Sequence, residues 1–440
     1  MPTSPAEAFV AALPEGLVVT DPAVLQSFSR DRTPFAEAGA PLLLVRARDV
    51  EDVVATLRTA SALGVPVVPR GAGSGLAGGA NALDGCVVLS LAAMDRVLEV
   101  DVAGRTATAA HGLWYPPDPA SRAWSTVGGN VATNAGGSCC LQYGVTGDAV
   151  AGLTAVLADG TVVRTGGRTR KDVVGLDLTR LLVGSEGTLA VVVEVVVRLR
   201  PAPLPASTVV ASFPELGDAG KGIVAVMQQA SPSLLELLDR TTLAAVEDLT
   251  RMGLDREGGA LLLLQCDGTD AAAEAERCAQ ACRDAGAAEV VVTADVEEGE
   301  ALLAARRAAY PALERLGTTL LDDVCVPVPQ IPEMVRAVER VAAEHGVLIG
   351  TFGHAGDGNL HPTVVYDATD PAQSAAAHAA FGALLREALR LGGTLSGEHG
   401  VGALKQPYLD LQLGSAERDL MRRVKDAFDP LGILNPGRGL

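Results

Sequence analysis

The sequence predicts an α+β protein that is divided into two or three domains. Its 440 residues exceed the length that one hydrophobic core usually supports. The proline-rich run at 200–205 separates two parts of the chain and is the best candidate for a domain boundary. After this run, short apolar stretches at 208–213, 261–265 and 290–293 have the length of strands, and alanine-rich helical stretches separate them. This alternation predicts an α+β fold for the second part.

The part before the boundary combines one clear helix with short strands and a long loop region. Apolar residues at helical spacing predict a helix that begins after Asp49 and ends at Gly64. The glycine-, alanine- and asparagine-rich run at 116–147 predicts a loop region. Strands are predicted at 65–69, 86–91, 96–102, 105–110, 150–157, 161–164 and 189–199.

The part after the boundary is predicted to hold further helices on either side of a histidine-containing hairpin. These helices are expected at 330–345, 372–391 and 415–428. The chain then closes in an ordered turn at 429–438. No segment of 20–50 residues repeats, which argues against a solenoid or propeller.

Composition places the chain among globular proteins and excludes several functions. It has 48% hydrophobic and 20% charged residues, as folded proteins do. A formal net charge of −18 argues against binding to nucleic acid or to anionic membranes, because like charges repel. No apolar run reaches the roughly 18–20 residues of a membrane-spanning helix. The first residues lack the basic and apolar segments of a signal peptide.

The cysteines point to a reducing compartment. There are 7 of them, an odd number, in a chain without a secretory signal, which predicts a reduced and cytoplasmic protein. No two cysteines have the C-x-x-C spacing, which argues against a protein-bound iron–sulfur cluster.

Three glycine-rich segments before the boundary are candidates for binding phosphate groups. The first, at 73–78, matches G-x-G-x-x-G, but about ten residues separate Gly75 from the next predicted strand, too few for the crossover helix of a Rossmann unit. A loop of small residues can instead form a nest of backbone N–H groups for phosphate oxygens. Similar segments lie at 126–137 and 184–189. Any one could be an ordinary tight turn, but together they suggest a large cofactor that contains a polyphosphate.

The hairpin around His354 and His361 is a candidate metal site. Asp357-Gly358 is a strong two-residue turn signal, which would place His354 directly opposite His361 and Gly356 opposite Asn359. Facing residues have Cβ atoms roughly 4.5–5.5 Å apart, close enough for two imidazoles to share one ion. Glu398 would complete a His/His/Glu set with an open position, which is typical of a catalytic divalent site. The alternative is a polar hairpin tip with solvated or hydrogen-bonded histidines.

Several ordered motifs together resemble the FAD-linked 2-hydroxy-acid dehydrogenases of the vanillyl-alcohol-oxidase type. This family includes D-lactate dehydrogenases, the FAD subunit of glycolate oxidase and D-2-hydroxyglutarate dehydrogenase. The resemblance covers about residues 20–440. The motifs that carry it lie at 69–76, 117–119, 128–130, 134–137, 143–144, 184–187, 354–362, 396–400 and 435–437.

The resemblance implies three domains and a flavin cofactor. A two-lobed FAD-binding domain of the p-cresol methylhydroxylase (PCMH) type is expected at 1–203. An α+β ferredoxin-like substrate (cap) domain is expected at 204–395, and a helical C-terminal segment at 396–440 should return to the FAD domain. Relatives that attach FAD covalently often carry His at the position of Ser74, so noncovalent FAD is expected. The residues expected to bind FAD are Pro69, Arg70, Gly71, Ala72, Gly73, Ser74, Gly75, Leu76, Pro117, Asp118, Gly128, Gly129, Asn130, Asn134, Gly136, Gly137, Tyr143, Gly144, Asp148, Gly184, Glu186, Gly187, Leu189 and Asn435.

The same resemblance assigns the chemistry of the second part. His354, His361 and Glu398 are expected to bind a divalent metal, most plausibly zinc, and His399 to act as the general base. Arg306 is expected to hold the substrate carboxylate, although adjacent Arg307 leaves the register open. Oxidation of a 2-hydroxy acid removes the hydroxyl proton while hydride leaves for the flavin, and an imidazole base, a metal and a guanidinium suit that reaction.

Two departures from the family pattern bear on function. In relatives, the strand at 105–110 is followed by another strand and a helix, and about fifteen residues are missing here at Ala110-His111. This gap puts FAD affinity and the folding of that lobe in question. Leu321 lies near a position where some relatives with dicarboxylate substrates carry Lys, which favours a monocarboxylate such as D-lactate or glycolate.

The leading hypothesis is an FAD-dependent D-2-hydroxy-acid dehydrogenase that passes electrons to a cytochrome, a quinone-linked partner or an iron–sulfur protein. Such a protein would be cytoplasmic, or held at the inner face of the membrane through its partner, and an oligomer is left open. The alternatives are an oxidase that uses O2 and an impaired FAD-binding subunit of a larger glycolate-oxidase-like complex. A zinc hydrolase is a further alternative, but it leaves the three glycine-rich segments unexplained.

Overall fold

The structure, a computed structural model, describes residues 4–101, 113–256 and 258–439. The helices are α1 (Pro5–Ala12), α2 (Pro22–Ser27), α3 (Val50–Leu63), α4 (Val127–Thr133), α5 (Cys140–Tyr143), α6 (Thr146–Ala149), α7 (Leu178–Leu182), α8 (Leu216–Gln229), α9 (Arg240–Thr250), α10 (Ala271–Asp284), α11 (Val296–Arg307), α12 (Ala309–Glu314), α13 (Ile331–His345), α14 (Pro371–Arg390) and α15 (Ser415–Phe428). Short 3-10 helices occupy Val328–Gln330, Ala355–Asp357 and Gln406–Leu411.

The strands are β1 (Val18–Val19), β2 (Leu43–Arg46), β3 (Val67–Arg70), β4 (Val87–Ser90), β5 (Leu113–Trp114), β6 (Val150–Val156), β7 (Val162–Gly166), β8 (Val191–Val197), β9 (Arg200–Pro201), β10 (Ser207–Phe213), β11 (Leu234–Asp239), β12 (Ala260–Cys266), β13 (Glu289–Thr293), β14 (Thr318–Leu321), β15 (Val324–Cys325), β16 (Leu348–His354) and β17 (Asn359–Tyr366). The chain forms two compact units. Unit one comprises described residues of 1–136, 144–201 and 398–440, and unit two comprises those of 137–143 and 202–397.

The first sheet of unit one has the strand order β1-β2-β4-β3, in which β4 is parallel to both β2 and β3. Helix α3 connects β2 to β3. It begins at Asp49, whose side chain accepts a hydrogen bond from Asp52 N at 2.9 Å, and ends at Gly64. Both predicted ends of this helix are therefore confirmed. Its buried face packs with the strands around fully buried Leu43, Leu57 and Leu89.

The second sheet of unit one is antiparallel, with the order β7-β6-β8. Its core includes Leu153 and Leu189, together with Val131 from α4 and Leu182 from α7. A short antiparallel pair, β5 with β9, completes the strand pairing of unit one in the described residues. The glycine-rich segments lie between the strands and helices that belong to these two sheets.

Unit two is built on one antiparallel sheet with the order β13-β10-β12-β11-β16-β17-β14, and β15 also pairs with β17. Helices α9 and α12 pack on the face that carries Phe352, around Leu243 and Leu313. Helix α13 buries Met334, Val338 and other apolar residues three or four positions apart. Such spacing forms one apolar stripe on a helix, which explains why the sequence predicted it.

Several predicted elements are confirmed and others are wrong. The strands expected at 208–213, 261–265 and 290–293 lie within β10, β12 and β13. The helix expected at 415–428 has the predicted ends. The strand expected at 96–102 is wrong over described residues 96–100, where Val97 and Leu98 are exposed instead of buried against a neighbour. The strand expected at 105–110 and the gap at Ala110-His111 lie outside the described residues.

The predicted loop region at 116–147 contains short helices instead. Thr126 caps α4, because its hydroxyl accepts a hydrogen bond from Gly129 N at 3.2 Å. Glycine content hid this helix, since glycine lowers helix propensity. Among the described residues, no helix combines the length and the apolarity that crossing a bilayer requires.

Candidate functional site

The histidine hairpin of unit two is formed by β16 and β17. A 3-10 turn at Ala355–Asp357 and then Gly358 connect the two strands. Gly358 has φ +85°, and a Cβ atom there would lie 2.0 Å from the carbonyl oxygen of Val326. Only glycine avoids both the strained conformation and the clash. The sequence Asp357-Gly358 therefore fixes where this hairpin turns.

The register of the hairpin differs from the prediction. Strand pairing places His354 opposite Asn359 and His361 opposite Phe352, so the predicted direct pairing of His354 with His361 is wrong. The reason is that Ala355–Asp357 form a 3-10 turn, so four residues connect the strands instead of two. The shift of two residues preserves the alternation of side chains. Both imidazoles consequently share one face, with ring centroids 5.2 Å apart.

A buried carboxylate that the sequence reasoning missed lies between two of the predicted site residues. Glu236 in β11 pairs in register with His354 in β16. Its Oε1 lies 2.6 Å from His354 Nδ1, and its Oε2 lies 2.5 Å from Arg306 Nε. All three side chains are buried. The signal in the sequence was Glu236 in the middle of an apolar strand, flanked on both sides by leucine pairs, because a buried charge requires a partner.

The electrostatics of this cluster keep Glu236 ionised. Burial alone would raise the pKa of the Glu236 carboxyl, but the charge of Arg306 and the hydrogen bond from His354 lower it to about 2. An ionised carboxylate accepts the Nδ1–H of His354, which fixes the tautomer of that ring. A metal would therefore be ligated through Nε2 of His354.

Asp323 plays a comparable structural role beside His361. Its carboxylate is buried and lies 3.6 Å from His361 Nδ1. It also accepts hydrogen bonds from Asn359 Nδ2 at 2.8 Å, Ser396 Oγ at 2.8 Å and Gly397 N at 3.0 Å. This network ties the hairpin to the segment that immediately precedes Glu398 in the chain.

Glu398 and His399, the remaining predicted residues of the chemical site, begin the last segment of unit one. The Oε1 atom of Glu398 lies 3.7 Å from Nε2 of His399, and both side chains are 15% exposed. Unit two thus brings together Arg306, His354 and His361. Glu398 and His399 follow directly after Gly397 in the chain.

In unit one, the glycine-rich segment after β3 is braced by Arg70. Its Nη2 donates to the carbonyl of Arg30 at 2.7 Å, and its Nη1 donates to the carbonyl of Ala80 at 3.3 Å. Gly73 has φ +75°, and a Cβ atom on it would lie 2.1 Å from Arg70 Nη2. The guanidinium therefore fills the space beneath the loop, and the backbone of the loop is held in place.

The second glycine-rich segment, 126–137, contains all of α4. Asn134 ends this helix in the left-handed conformation, with φ +52°, and its Oδ1 accepts a hydrogen bond from Gly147 N at 2.8 Å. Asp148 Oδ2 accepts a hydrogen bond from Val145 N at 3.0 Å. These contacts place two predicted cofactor-binding side chains in structural roles, while the N–H groups at the start of α4 lack helical acceptors.

The third segment is organised by Glu186, whose carboxylate is buried. It accepts hydrogen bonds from Val401 N and Gly402 N, each at 2.8 Å. Burial raises the pKa of the Glu186 carboxyl, and these two amides oppose that rise. Asn435 Nδ2 donates to the Glu186 carbonyl at 2.7 Å. Glu186 therefore anchors the segment that follows His399.

The predicted cofactor-binding residues divide between the two units. Gly137 and Tyr143 belong to unit two, where the Tyr143 hydroxyl donates to the carboxylate of Asp267. The others lie in unit one: Pro69, Arg70, Gly71, Ala72, Gly73, Ser74, Gly75, Leu76, Pro117, Asp118, Gly128, Gly129, Asn130, Asn134, Gly136, Gly144, Asp148, Gly184, Glu186, Gly187, Leu189 and Asn435.

Two family models match most of the chain. One describes an FAD binding domain and matches residues 41–166. The other describes the C-terminal domain of FAD linked oxidases and matches residues 202–438. The chain belongs to the FAD-linked oxidases. The predicted family membership is thereby confirmed.

Individual relatives of this FAD-linked oxidase are similar over nearly their whole length. The glycolate oxidase subunit GlcD of Bacillus subtilis is 41% identical over 429 residues, which are 93% of this chain and 91% of that protein. The corresponding Escherichia coli K12 subunit is 36% identical and covers 91% of this chain and 84% of its own length. A D-lactate dehydrogenase of Archaeoglobus fulgidus is 37% identical, over 93% of this chain and 94% of that protein.

Solved structures of other flavoproteins share the fold. p-Cresol methylhydroxylase with bound substrate superposes with a TM-score of 0.79 at 18% identity, over 99% of this chain and 96% of that one. The 4-ethylphenol oxidase of Gulosibacter chungangensis gives a TM-score of 0.78 at 19% identity, with the same coverage. The predicted α+β fold of the PCMH type is confirmed.

The residues of this FAD-linked oxidase fit its flavin. Asn435 Oδ1 in unit one is buried and has no hydrogen-bond partner among the described residues, as expected of an acceptor that awaits a ligand. A Cβ atom on Gly128 would meet no described atom within 4 Å, so the start of α4 has room for a ligand. In unit two, two buried imidazoles on one face are a donor set that suits a borderline cation such as Zn2+.

Proposed function

We propose that this FAD-linked oxidase oxidises a small D-2-hydroxy acid to the corresponding 2-oxo acid. The observation that carries the proposal is the meeting of Arg306, His354 and Glu236 in one buried cluster, with His361 on the same face. A guanidinium beside two imidazoles matches a substrate with a carboxylate next to a hydroxyl group. The names of the relatives, glycolate oxidase subunit and D-lactate dehydrogenase, support the same substrate class.

Arg306 is proposed to bind the substrate carboxylate. Its Nε atom faces Glu236, and its guanidinium carbon lies 4.9 Å from the centroid of the Phe352 ring. No described residue hydrogen-bonds to its two Nη atoms, so these remain to pair with a ligand. A guanidinium that is already oriented loses little entropy on binding a carboxylate, and two parallel N–H donors match two carboxylate oxygens.

His354, His361 and Glu398 are proposed to hold a divalent ion, with zinc favoured, and His399 to act as the base. A bound flavin would supply the acceptor for the hydride that leaves the substrate, and a bound divalent ion would supply a Lewis acid that lowers the pKa of the substrate hydroxyl. His399 is proposed to take the hydroxyl proton at a ring nitrogen while Arg306 holds the carboxylate. Protonated His399 then returns this proton to solvent.

Glycolate or D-lactate is the proposed substrate. Leu321 in β14 is buried in the same apolar cluster as Phe352, so this position offers no charge for a second carboxylate. FAD is proposed to be noncovalent, since Ser74 stands where relatives that attach FAD covalently often carry His. The electrons are proposed to leave through a cytochrome, a quinone-linked protein or an iron–sulfur protein, in a cytoplasmic complex that can attach to the inner face of the membrane.

The test is anaerobic reduction of the bound flavin by D-lactate or by glycolate. The loss of visible flavin absorbance measures this reduction. We expect Arg306→Met to raise the substrate concentration for half-maximal reduction by about 10–100-fold, because a charged hydrogen-bond pair is lost. Arg307→Met is the matched control, because its side chain is 37% exposed and, among the described residues, pairs only with exposed Glu300. Peroxide formation in air would identify O2 as the acceptor.

Two results would overturn the proposal. One is a wild-type flavin that no 2-hydroxy acid reduces, although FAD is bound. The other is an effect of Arg307→Met that exceeds the effect of Arg306→Met at equal flavin content.

A further inference from the structure

We infer that Glu236 is a positioning residue that sets the spacing between the carboxylate-binding group and the metal-binding group of the site. This inference rests on the proposed function of Arg306 and His354. Glu236 touches neither substrate nor metal in that scheme. It acts through Arg306 and His354, each of which contacts a different oxygen of the Glu236 carboxylate.

The first step concerns His354. The 2.6 Å contact between Glu236 Oε1 and His354 Nδ1 orients the ring and directs Nε2 toward a metal. A carboxylate behind a ligating histidine also makes the ligand more basic. Loss of such a partner typically weakens metal binding about 10–100-fold.

The second step concerns Arg306. Its Nε lies 2.5 Å from Glu236 Oε2, and both side chains are almost fully buried. The negative charge of Glu236 therefore compensates the buried guanidinium and holds Arg306 beside it as an ion pair. Without Glu236, the guanidinium loses its orientation and its buried counter-charge.

The third step joins these two. Because the two oxygens of Glu236 share one carbon atom, the positions of Arg306 and His354 cannot vary independently. A substrate that binds both groups must carry its hydroxyl a fixed, short distance from its carboxylate. Glu236 thus favours 2-hydroxy acids over 3-hydroxy acids, in which one more carbon separates the two groups.

Zn2+ binding provides a readout that does not depend on turnover. The full-length flavoprotein is stripped of metal by chelation and titrated with Zn2+ against a chromophoric chelator. We expect Glu236→Gln to weaken Zn2+ binding about 10–100-fold. Asp239→Asn is the matched control, because Asp239 is a buried carboxylate at the end of the same strand and accepts hydrogen bonds from Thr242 N and Thr351 N. We expect its Zn2+ affinity to stay within twofold of the wild type.

Two further variants separate positioning from folding. Arg306→Met alone should leave Zn2+ affinity within twofold, because Glu236 still holds His354. Arg306→Met combined with Glu236→Gln removes both buried charges together, so it keeps the balance of charge and should still fold, yet it should show the weakened Zn2+ binding. In Glu236→Asp, the preference of kcat/KM for 2-hydroxybutyrate over 3-hydroxybutyrate should fall at least tenfold, because the shorter side chain cannot hold both partners.

The outcomes distinguish this inference from the proposed function. If His354→Ala leaves Zn2+ binding unchanged, the metal assignment in the proposed function is wrong. If His354→Ala removes Zn2+ binding while the double variant of Glu236 and Arg306 binds Zn2+ like the wild type, the positioning role is wrong. An unchanged preference between the two hydroxybutyrates in folded Glu236→Asp would also overturn it.

Discussion

Two carboxylates three residues apart on β11 have opposite titration behaviour. Glu236 faces a guanidinium and a histidine, and these lower its pKa to about 2 in spite of burial. Asp239 is also buried, but it accepts hydrogen bonds from neutral donors, including the amides of Thr242 and Thr351. Burial raises the pKa of Asp239 to about 6, because those amides compensate only part of the cost of desolvation. The charge of the partner, more than burial, decides whether the pKa of each carboxyl is raised or lowered.

This difference predicts how pH affects stability through Asp239. Its folded pKa lies above its unfolded pKa, so its contribution is fully present below the unfolded value and is lost as pH rises through about 6. Relative to Asp239→Asn, which cannot titrate, the free energy of unfolding of the wild type should rise by about 1 kcal/mol between pH 7 and pH 5. Urea unfolding at both pH values measures it. A difference that is independent of pH would contradict the raised pKa.

At the residue scale, local pattern predicted His354 and His361 but not Glu236. The histidines stand beside an Asp-Gly turn, so their proximity could be argued from a few neighbouring residues. Glu236 lies 118 residues before His354, and only the pairing of β11 with β16 brings them together. Nothing local in an apolar strand specifies which other strand it will pair with.

At the scale of elements, one half-buried lysine, Lys425, holds α15 in place. Lys425 Nζ donates to the Thr188 carbonyl at 2.6 Å, the Leu434 carbonyl at 2.7 Å and Asp429 Oδ2 at 2.6 Å. Asp429 is buried and also accepts hydrogen bonds from the backbone N–H groups of Ile433 and Leu434. Burial lowers the pKa of Lys425, and Asp429 opposes that shift. The helix and the turn after it therefore form one hydrogen-bonded element.

Lys425→Met should consequently destabilise unit one. It would leave Asp429 buried without its cation, which typically costs about 3–5 kcal/mol. Arg422→Met on the same helix is the control, since Arg422 is 63% exposed and pairs with equally exposed Asp419. Its effect should stay within about 0.5 kcal/mol. Denaturant unfolding of both variants provides the comparison, and equal stabilities would refute the role of Lys425.

Element boundaries were predictable where a chemical signal marks them. Asp49 and Gly64 delimit α3, as their capping roles require. The hairpin was placed correctly, but its register was wrong, because Ala355–Asp357 form a 3-10 turn that a dipeptide signal does not reveal. No such signal marked the strand expected at 96–102, and its apolar residues at 97 and 98 are exposed.

At the scale of the whole molecule, the two units carry different parts of the proposed chemistry. Unit one carries most of the residues proposed to bind FAD, and unit two carries Arg306, His354 and His361. The motifs made the family recognisable from the sequence, because each motif combines residue types that a ligand requires. The sequence could not reveal that the side chains of Asn134, Asp148 and Glu186 accept hydrogen bonds from backbone amides.

The flavin-binding role of unit one predicts a specific effect at Gly128. Gly128→Val adds a side chain where the described structure is open, so the fold should persist while the space for FAD is filled. Saturating FAD, at about a hundred times its Kd, should stabilise the wild type by about 2.7 kcal/mol and leave this variant unchanged. Gly217→Val in α8 is the control, because that glycine is also open and lies in unit two. Thermal unfolding with and without FAD measures both, and a normal FAD response of Gly128→Val would refute the assignment.

The hydrogen bonds that Val67 in β3 makes with the end of the chain have a consequence for biosynthesis. Val67 N donates to the Ile433 carbonyl, and Asn435 N donates to the Val67 carbonyl, each at 2.8 Å. A ribosome must therefore translate the whole of 202–397 before the residues that cover this strand emerge. Meanwhile, the nascent amino-terminal sheet presents an unpaired edge, which invites aggregation. The edge of β3 is therefore covered only after residues 433–435 have been synthesised.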